Sequence, residues 1–474
     1  MPRLVSVGVA LAMLVSACAL KPAPDRDVLA TENLPNMKLP AEWAEPSASG
    51  AVQDNWVAAL GDQQLSALVA EAIAYNADLR LAATRVEEAA AVVKASGAQL
   101  YPSVNLLART SGKVGGDGTG IGGVLVPASW EIDLWGRVRY GRRAAEDQYA
   151  SAEADAAAAA QSVAALVAKA WFVAIEARQQ RDLAASMVAN SRDTLRIAEQ
   201  RLRIGPGNEL EVEQAGASLQ SLLDTERQLD LALSQATRSL ELLLGRYPAA
   251  EIQAPNVFVA LPQMAGAGVP SELLERRPDI IAAQRRVDAA FNLVGQADAA
   301  RLPRLTLTAG LTSITSETFV LQNRDNPQIG VGASLFATIF DAGALEAQAD
   351  VRRAQQKQAA AMWAQAGLKA FGEVEGALAN EVVLRDRESL LVVAVQKNDN
   401  ALVLENTRYR IGNVDLRSVL QQQMAVYASR SALLRVQGDQ HVNRVNLYLA
   451  LGGGFGEETA LVTPSTTTAK PSAE

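Results

Sequence analysis

The stretch LRIGPGNELEV, residues 202–212, sets Gly-Pro-Gly between two of the most helix-prone segments of the chain, and YRIGNVDLRSV at 409–419 repeats the device. In both, an Arg-x-Arg-Ile-Gly string, Arg201 to Gly205 and Arg408 to Gly412, closes one long alanine-rich run and opens another. Glycine tolerates the positive φ values that a helix reversal needs, and Pro206 or Asn413 just after it keeps the incoming helix from continuing. A reversal used twice points to a chain that is built twice.

Internal similarity extends outward from these strings. Asp78, Arg85, Val86, Ala89, Val93 and Pro102 recur as Asp279, Arg286, Val287, Ala290, Val294 and Pro303, each 201 residues later. The reversal strings, and the helix ends LLLG (Leu242 to Gly245) and LALG (Leu449 to Gly452), recur 207 residues apart. Two structural repeats follow, 63–246 and 271–452, joined by a connection over 247–270 that holds Pro248, Pro255 and Pro262. Hydrophobic period gives each repeat the order helix, strand pair, very long helix, reversal, helix. The opening helices are predicted over about Gln64 to Gly97 and Pro278 to Ala300, with Pro278 and Asp279 suited to a first helical turn.

After each opening helix a proline precedes an alternating stretch, from Pro102 in one half and from Arg304 in the other. Alternation marks a strand with one apolar face. Second strands are predicted over about Val124 to Leu134 and Ile329 to Phe340, which places β-hairpins at 101–135 and 302–341. These strands have about the 9 to 11 residues that a tilted strand needs to cross a bilayer core. The first hairpin loop contains Gly118-x-Gly120-x-x-Gly123, a formal dinucleotide fingerprint, but no helix follows to meet a pyrophosphate. Four strands per chain cannot close a barrel, and open edges are not tolerated in lipid, so several chains must share one. Two chains would give eight strands and a filled interior, three would give twelve and a lumen; periodicity does not choose.

The long helices are predicted over 136–204 and 342–411, with return helices over 208–245 and 414–451. At about 1.5 Å per residue each long helix would extend on the order of 100 Å. Val163, Leu166, Ala170, Val173 and Ala177 fall at three- and four-residue spacing and are read as core packing. At the N-terminus, Arg3, an apolar run from Leu4 to Val15 and small residues before Cys18 read as a secretory signal over 1–17. The Val15-Ser16-Ala17-Cys18 string resembles the lipobox of bacterial lipoproteins, which implies cleavage before Cys18, acylation of its sulfur, and a lipid-anchored linker over 18–62. Ala19 and Leu20 follow where an Asp would be the lipoprotein signal for inner-membrane retention, which suggests delivery to the outer membrane. No later stretch reads as apolar enough for a transmembrane helix, and the tail 453–474 reads as disordered.

Net charge is −8 with scattered Lys and Arg, which offers nucleic acid no footprint. Catalysis and metal binding find little support. The single histidine, His441, has no metal-ligand neighbour at helical spacing and reads as a surface or packing residue, and the single cysteine is Cys18.

Three motifs complete the pattern: Ser129-Trp-Glu-Ile-Asp-Leu-Trp-Gly-Arg137, Leu274-Glu-Arg-Arg-Pro-Asp-Ile280 and Ile339-Phe-Asp-Ala-Gly343. With the paired reversals, the chain resembles the TolC-type outer-membrane factors, in the lipoprotein branch often called NodT-like. The resemblance implies an α+β membrane protein, mainly α, in which a trimer shares a twelve-stranded outer-membrane barrel continued by a periplasmic barrel of coiled-coil hairpins. It implies a passive exit duct for small molecules, served by a periplasmic adaptor and an inner-membrane transporter, with no cofactor beyond the lipid on Cys18.

The same resemblance makes the reversals the periplasmic gate. Its residues here would be Gly205, Pro206, Gly207, Glu209, Tyr409, Arg410, Gly412, Asn413, Asp415, Ser418 and Gln421, with Tyr409 and Arg410 bonding to Glu209 or Asp415 on neighbouring tips. Family members commonly carry an aspartate one turn beyond the tip, facing the lumen; Gln421 stands there, with Ser418 on the same face. Trp130 and Trp135 would mark the membrane interface, and Asp133, Gly136 and Arg137, with Asp341 and Gly343 in the second half, the joint between strand and helix. Two other functions remain open at this stage: a lipid-anchored periplasmic coiled-coil spacer, which has no need of bilayer-length hairpins, and an exit duct for peptides or proteins.

Overall fold

Asn76 and Arg277 occupy matching places in the two repeats, and a helix breaks at each. The computed structural model describes residues 20–47, 50–52, 54–110, 121–263, 266–316 and 328–455. Short helices α1 (Arg26–Asn33) and α2 (Trp56–Ala59) lie in the segment read as a linker. The helix predicted over 64–97 is two, α3 (Gln63–Tyr75) and α4 (Ala77–Ala98). Asn76 leaves helical geometry, its side chain accepts the Asp78 and Leu79 N–H groups, and its amide donates to Leu243 O at 2.9 Å. Capping a new helix start satisfies donors that would otherwise have no partner. In the second repeat α7 (Pro270–Arg276) ends at Arg277, and Pro278 opens α8 (Pro278–Ala300).

The chain divides into two compact units. The first gathers the described parts of Met1–Met37, Thr84–Asp155 and Asp279–Ala366, and holds an antiparallel sheet. Its strands are β1 (Ser103–Val104), β2 (Leu107–Thr110), β3 (Ile121–Ile132), β4 (Arg304–Ser316) and β5 (Gln328–Phe336). β3 pairs with β4 along its whole length, Trp130 opposite Leu307, and β4 pairs with β5. β1 and β2 pair with the other side of β3 and lie in one register, Val104 opposite Ala128 and Leu107 opposite Leu125. The gap between them falls at Asn105, whose N–H donates to Pro127 O at 2.9 Å. That side of Pro127 has no N–H to return, so the ladder loses a bond and the first strand splits. The sheet therefore has four strand positions, with β1 and β2 on one outer edge and β5 on the other.

Two strand ends differ from expectation. β3 ends at Ile132 rather than Leu134, and β5 ends at Phe336 rather than Phe340. In both places an aspartate just beyond turns to cap a helix, as described below. Every residue of β5 is exposed.

The second unit gathers the described parts of Lys38–Ala83, Ala156–Pro278 and Gly367–Glu474. Its core packs Trp56, Leu65, Trp171, Phe172, Ile175, Leu240 and Tyr448. Trp56 stacks on Tyr448, and the Trp171 indole donates to Asp62 at 2.8 Å. Glu241 pins the connection between repeats by accepting the N–H groups of Ala250, Glu251 and Ile252. His441 packs between Phe172 and Phe258, its ring nitrogens facing Gln437 O and Val259 O.

The long helices are α5 (Arg137–Ile204) and α9 (Ala344–Arg410), and the return helices are α6 (Glu209–Leu243) and α10 (Leu416–Ala450). Two sequence readings of α5 need correction. Val163 is buried, but Leu166 and Val173 are 45% and 46% exposed, so the apolar stripe is not all core. An 18-residue window of α5 is also long and apolar enough to cross a membrane by length and composition, though 56% of it is buried in the chain. Alanine accounts for this, because a run such as Ala156–Ala160 scores as apolar while covering little surface. Cys18, the two hairpin loops over 111–120 and 317–327, and the tail over 456–474 lie outside the described residues.

Candidate functional site

The two reversals meet the same geometric demand with different chemistry. At the second, Gly412 has a φ of +82°, its N–H donates to Tyr409 O, and the Asn413 N–H donates to Arg408 O at 2.9 Å. These two bonds form a Schellman motif, which satisfies carbonyls that a helix end leaves open. At the first, Gly205 takes the positive φ, +100°, but Pro206 has no N–H for the second bond. Gly207 supplies it, donating to Arg201 O at 3.1 Å. A Cβ on Gly207 would lie 2.7 Å from Leu202 N, so glycine is needed here for space rather than for its φ. Asn208 and Asp415 then cap the return helices through the Glu211 and Ser418 N–H groups.

Around these turns the two hairpins share a small core of Ala198, Ala215, Tyr409, Leu416 and Val419. Tyr409 is the polar centre of this core. Its ring carries the Arg201 guanidinium at 4.4 Å, and Arg201 also donates to Tyr409 O at 2.8 Å. The Tyr409 hydroxyl donates to Glu211 at 3.2 Å. Burial, then the Glu211 charge, pushes the phenol up to about 12, so it stays a neutral donor across the working pH range. One residue thus joins the end of α5, the end of α9 and the start of α6.

The sequence reading had Tyr409 bonding to Glu209 or Asp415 on neighbouring tips. Within the chain the partner is Glu211. The Glu209 and Arg410 side chains are exposed and make no hydrogen bond or ion pair among the described residues. Asp415 is occupied as a cap, accepting from both the Ser418 N–H and its hydroxyl at 3.0 Å, and these bonds hold its carboxyl below the usual range. Gln421 is exposed. Arg201, quoted above only as part of the reversal string, and Glu211 are absent from the gate residues drawn from the sequence, although Asn208-x-x-Glu211 is a legible capping pattern.

At the strand-to-helix joints the two aspartates act alike. Asp133 accepts the Val138 and Arg139 N–H groups and the Arg139 side chain; Asp341 accepts those of Gly343 and Leu345. Each offers a carboxylate to the free N–H groups at the start of a long helix. Gly136 and Gly343 turn the chain with φ of +78° and +86°. The Trp130 indole donates to Leu100 O and the Trp135 indole to Pro303 O, which fixes both rings while leaving them about two-fifths exposed. Arg137 forms a two-pronged pair with Glu131.

Comparison with known proteins gives these features a context. A family model described as outer membrane efflux protein matches residues 68–246 and 269–453. The pyoverdine export outer membrane protein OpmQ of Pseudomonas aeruginosa is 31% identical, over 94% of this chain and 95% of its own. The cation efflux system protein CusC of Escherichia coli is 29% identical, over 94% of this chain and 98% of its own. The solved structure of the outer-membrane channel OprN superposes with a TM-score of 0.80 at 25% identity, over 89% of this chain and 99% of that one.

Proposed function

We propose, since the chain belongs to the outer membrane efflux protein family, that three copies form one passive duct through which small molecules leave the cell. The protein is an outer-membrane component of an efflux system, of the NodT and TolC type. The observation that carries the trimer is the sheet: four strand positions with both outer edges unpaired among the described residues. In a bilayer each edge needs a partner, and twelve strands enclose a lumen where eight would be filled by side chains. Exposed Ile329, Val331, Leu335 and Phe336 on β5 suit lipid or a neighbouring subunit. Leu166 and Val173, exposed on α5, suit packing against the next copy in the helical part.

An inner-membrane transporter and a periplasmic adaptor supply the energy and the connection, and the adaptor meets the helix reversals. Cys18 carries the lipid. The Arg201–Tyr409–Glu211 contact holds the two hairpins of one chain together at the closed end. Gln421, an amide where the family resemblance implies a carboxylate, makes the lumen weakly cation-preferring. The relatives' names mention pyoverdine for one and cations for another, so the duct is assigned small solutes as a class, selected by the transporter.

Native mass spectrometry of protein extracted in mild detergent tests this reading, since it gives the assembly mass and the mature N-terminus together. A trimer of chains starting at an acylated Cys18 is expected; a monomer would sink the shared barrel. In planar bilayers, multivalent cations are expected to block weakly. Strong block that disappears in Asp415→Asn, a change that keeps an N-cap acceptor, would move the acidic ring to Asp415.

A further inference from the structure

The two strand-to-helix joints come from one repeated unit, yet their surroundings differ. At Gly343 a Cβ would meet nothing within 4 Å, whereas at Gly136 it would lie 2.5 Å from Leu20 Cδ2. Four residues beyond these glycines the first repeat has Tyr140 and the second Ala347. The Tyr140 ring rests against Gly295 of α8, where a Cβ would come within 2.6 Å of it; at the matching place in the first repeat stands Lys94. The Tyr140 hydroxyl accepts the Lys21 N–H at 3.0 Å. Pro22 and Pro24 follow, and each fixes φ and removes a donor. Among the described residues of one chain, the first joint receives another segment, Leu20-Lys21, and the second does not.

We infer that Tyr140, seated on Gly295 beside Gly136, is a binding site for Leu20-Lys21 and thereby positions the lipid anchor. The positioning role rests on the reading that Cys18 is acylated; the seat does not. Leu20 lies two residues past Cys18, a reach of at most about 7 Å of extended chain. A lipid on Cys18 then enters the bilayer near Trp135, once per subunit and at a fixed place, instead of wandering on a free tether. Where the first joint has Gly295 and Tyr140, the matching places hold Lys94 and Ala347, which offer neither the seat nor the hydroxyl acceptor.

Amide hydrogen exchange on the full chain in detergent, read by mass spectrometry, tests the seat with wild type, Tyr140→Phe, Tyr140→Ala and Cys18→Ser. Tyr140→Phe removes only the acceptor, and amides within 20–23 are expected to exchange roughly five- to tenfold faster, as for one lost hydrogen bond. Tyr140→Ala, which installs the residue of the second repeat, is expected to accelerate them further, with α5 and α8 unchanged. Cys18→Ser should keep the wild-type protection. Equal exchange in wild type and both tyrosine variants would overturn the seat, as would protection lost in Cys18→Ser with Tyr140 intact. The intact mass of each sample separates the two readings: a chain starting at an unmodified Cys18 removes the acylation alone, because amides 20–23 still report the seat.

Discussion

Asp288 of α8 is buried in a helical segment, and its surroundings make its ionisation a liability. Burial first, and the Asp147 carboxylate second, push it up to about 6, with Arg285 opposing. Asp147 is raised too, mainly by burial, although it accepts a 2.7 Å bond from Asn292. A carboxyl whose native pKa exceeds its unfolded value stabilises the fold fully below the unfolded value and loses that contribution as pH rises through the native one. Asp288→Asn is therefore expected to stabilise the protein at pH 7.5 by about 1–3 kcal/mol and hardly at all at pH 4. Thermal unfolding at the two pH values checks this, and an equal shift at both would refute it. At the tip, Tyr409→Phe removes the bond to Glu211 but keeps the ring under Arg201, whereas Arg201→Ala removes the cation and its bond to Tyr409 O. The open fraction in single-channel recordings should rise about two- to tenfold for Tyr409→Phe and more for Arg201→Ala. No change in either variant would make the contact mere packing.

Among elements, those punctuated by glycine and proline were legible in the sequence. The reversals, the long helices and the start of α8 follow from Gly205, Pro206, Gly412 and Pro278. The break at Asn76 was not, because asparagine is tolerated inside a helix: its capping bonds to Asp78 and Leu79 are local, but the bond that anchors it goes to Leu243 O, which only the folded chain brings near. Pro127 was overlooked for the opposite reason: alternation continues across it, so period alone hides the missing donor. The site shows the same division. Gly412 and Asn413 could be read locally, but Glu211 meets Tyr409 across 198 residues and no pattern in either hairpin announces the pairing. The two turns also make separable predictions. Gly412→Ala should cost about 1 kcal/mol, the usual penalty for a side chain at positive φ. Gly207→Ala should loosen its turn more, since its Cβ meets backbone that cannot swing aside. Exchange rates of amides 408–416 and 201–211 give the comparison, and a harmless Gly207→Ala would contradict the tight approach.

At the scale of the whole molecule, the subunit cannot complete its sheet alone. Loss of the trimer on heating or in strong detergent should coincide with loss of strand signal in circular dichroism, while helical signal, held by cores such as Trp56, Trp171 and Tyr448, persists further. Strand signal outlasting the trimer would mean that the edges are covered in some other way.

The duplication leaves a final consequence in the unequal turns. Arg201 and Tyr409 have Arg408 and Leu202 as their counterparts, so the aromatic latch is made once per chain, not once per hairpin. Around the threefold rim proposed above, the six hairpins would then be of two alternating kinds. Inheritance at this rim comes in thirds: a cell expressing both wild-type and altered alleles would populate channels with none, one, two or three broken latches. How conductance grades across that mixture would reveal whether the rim opens one subunit at a time or all together.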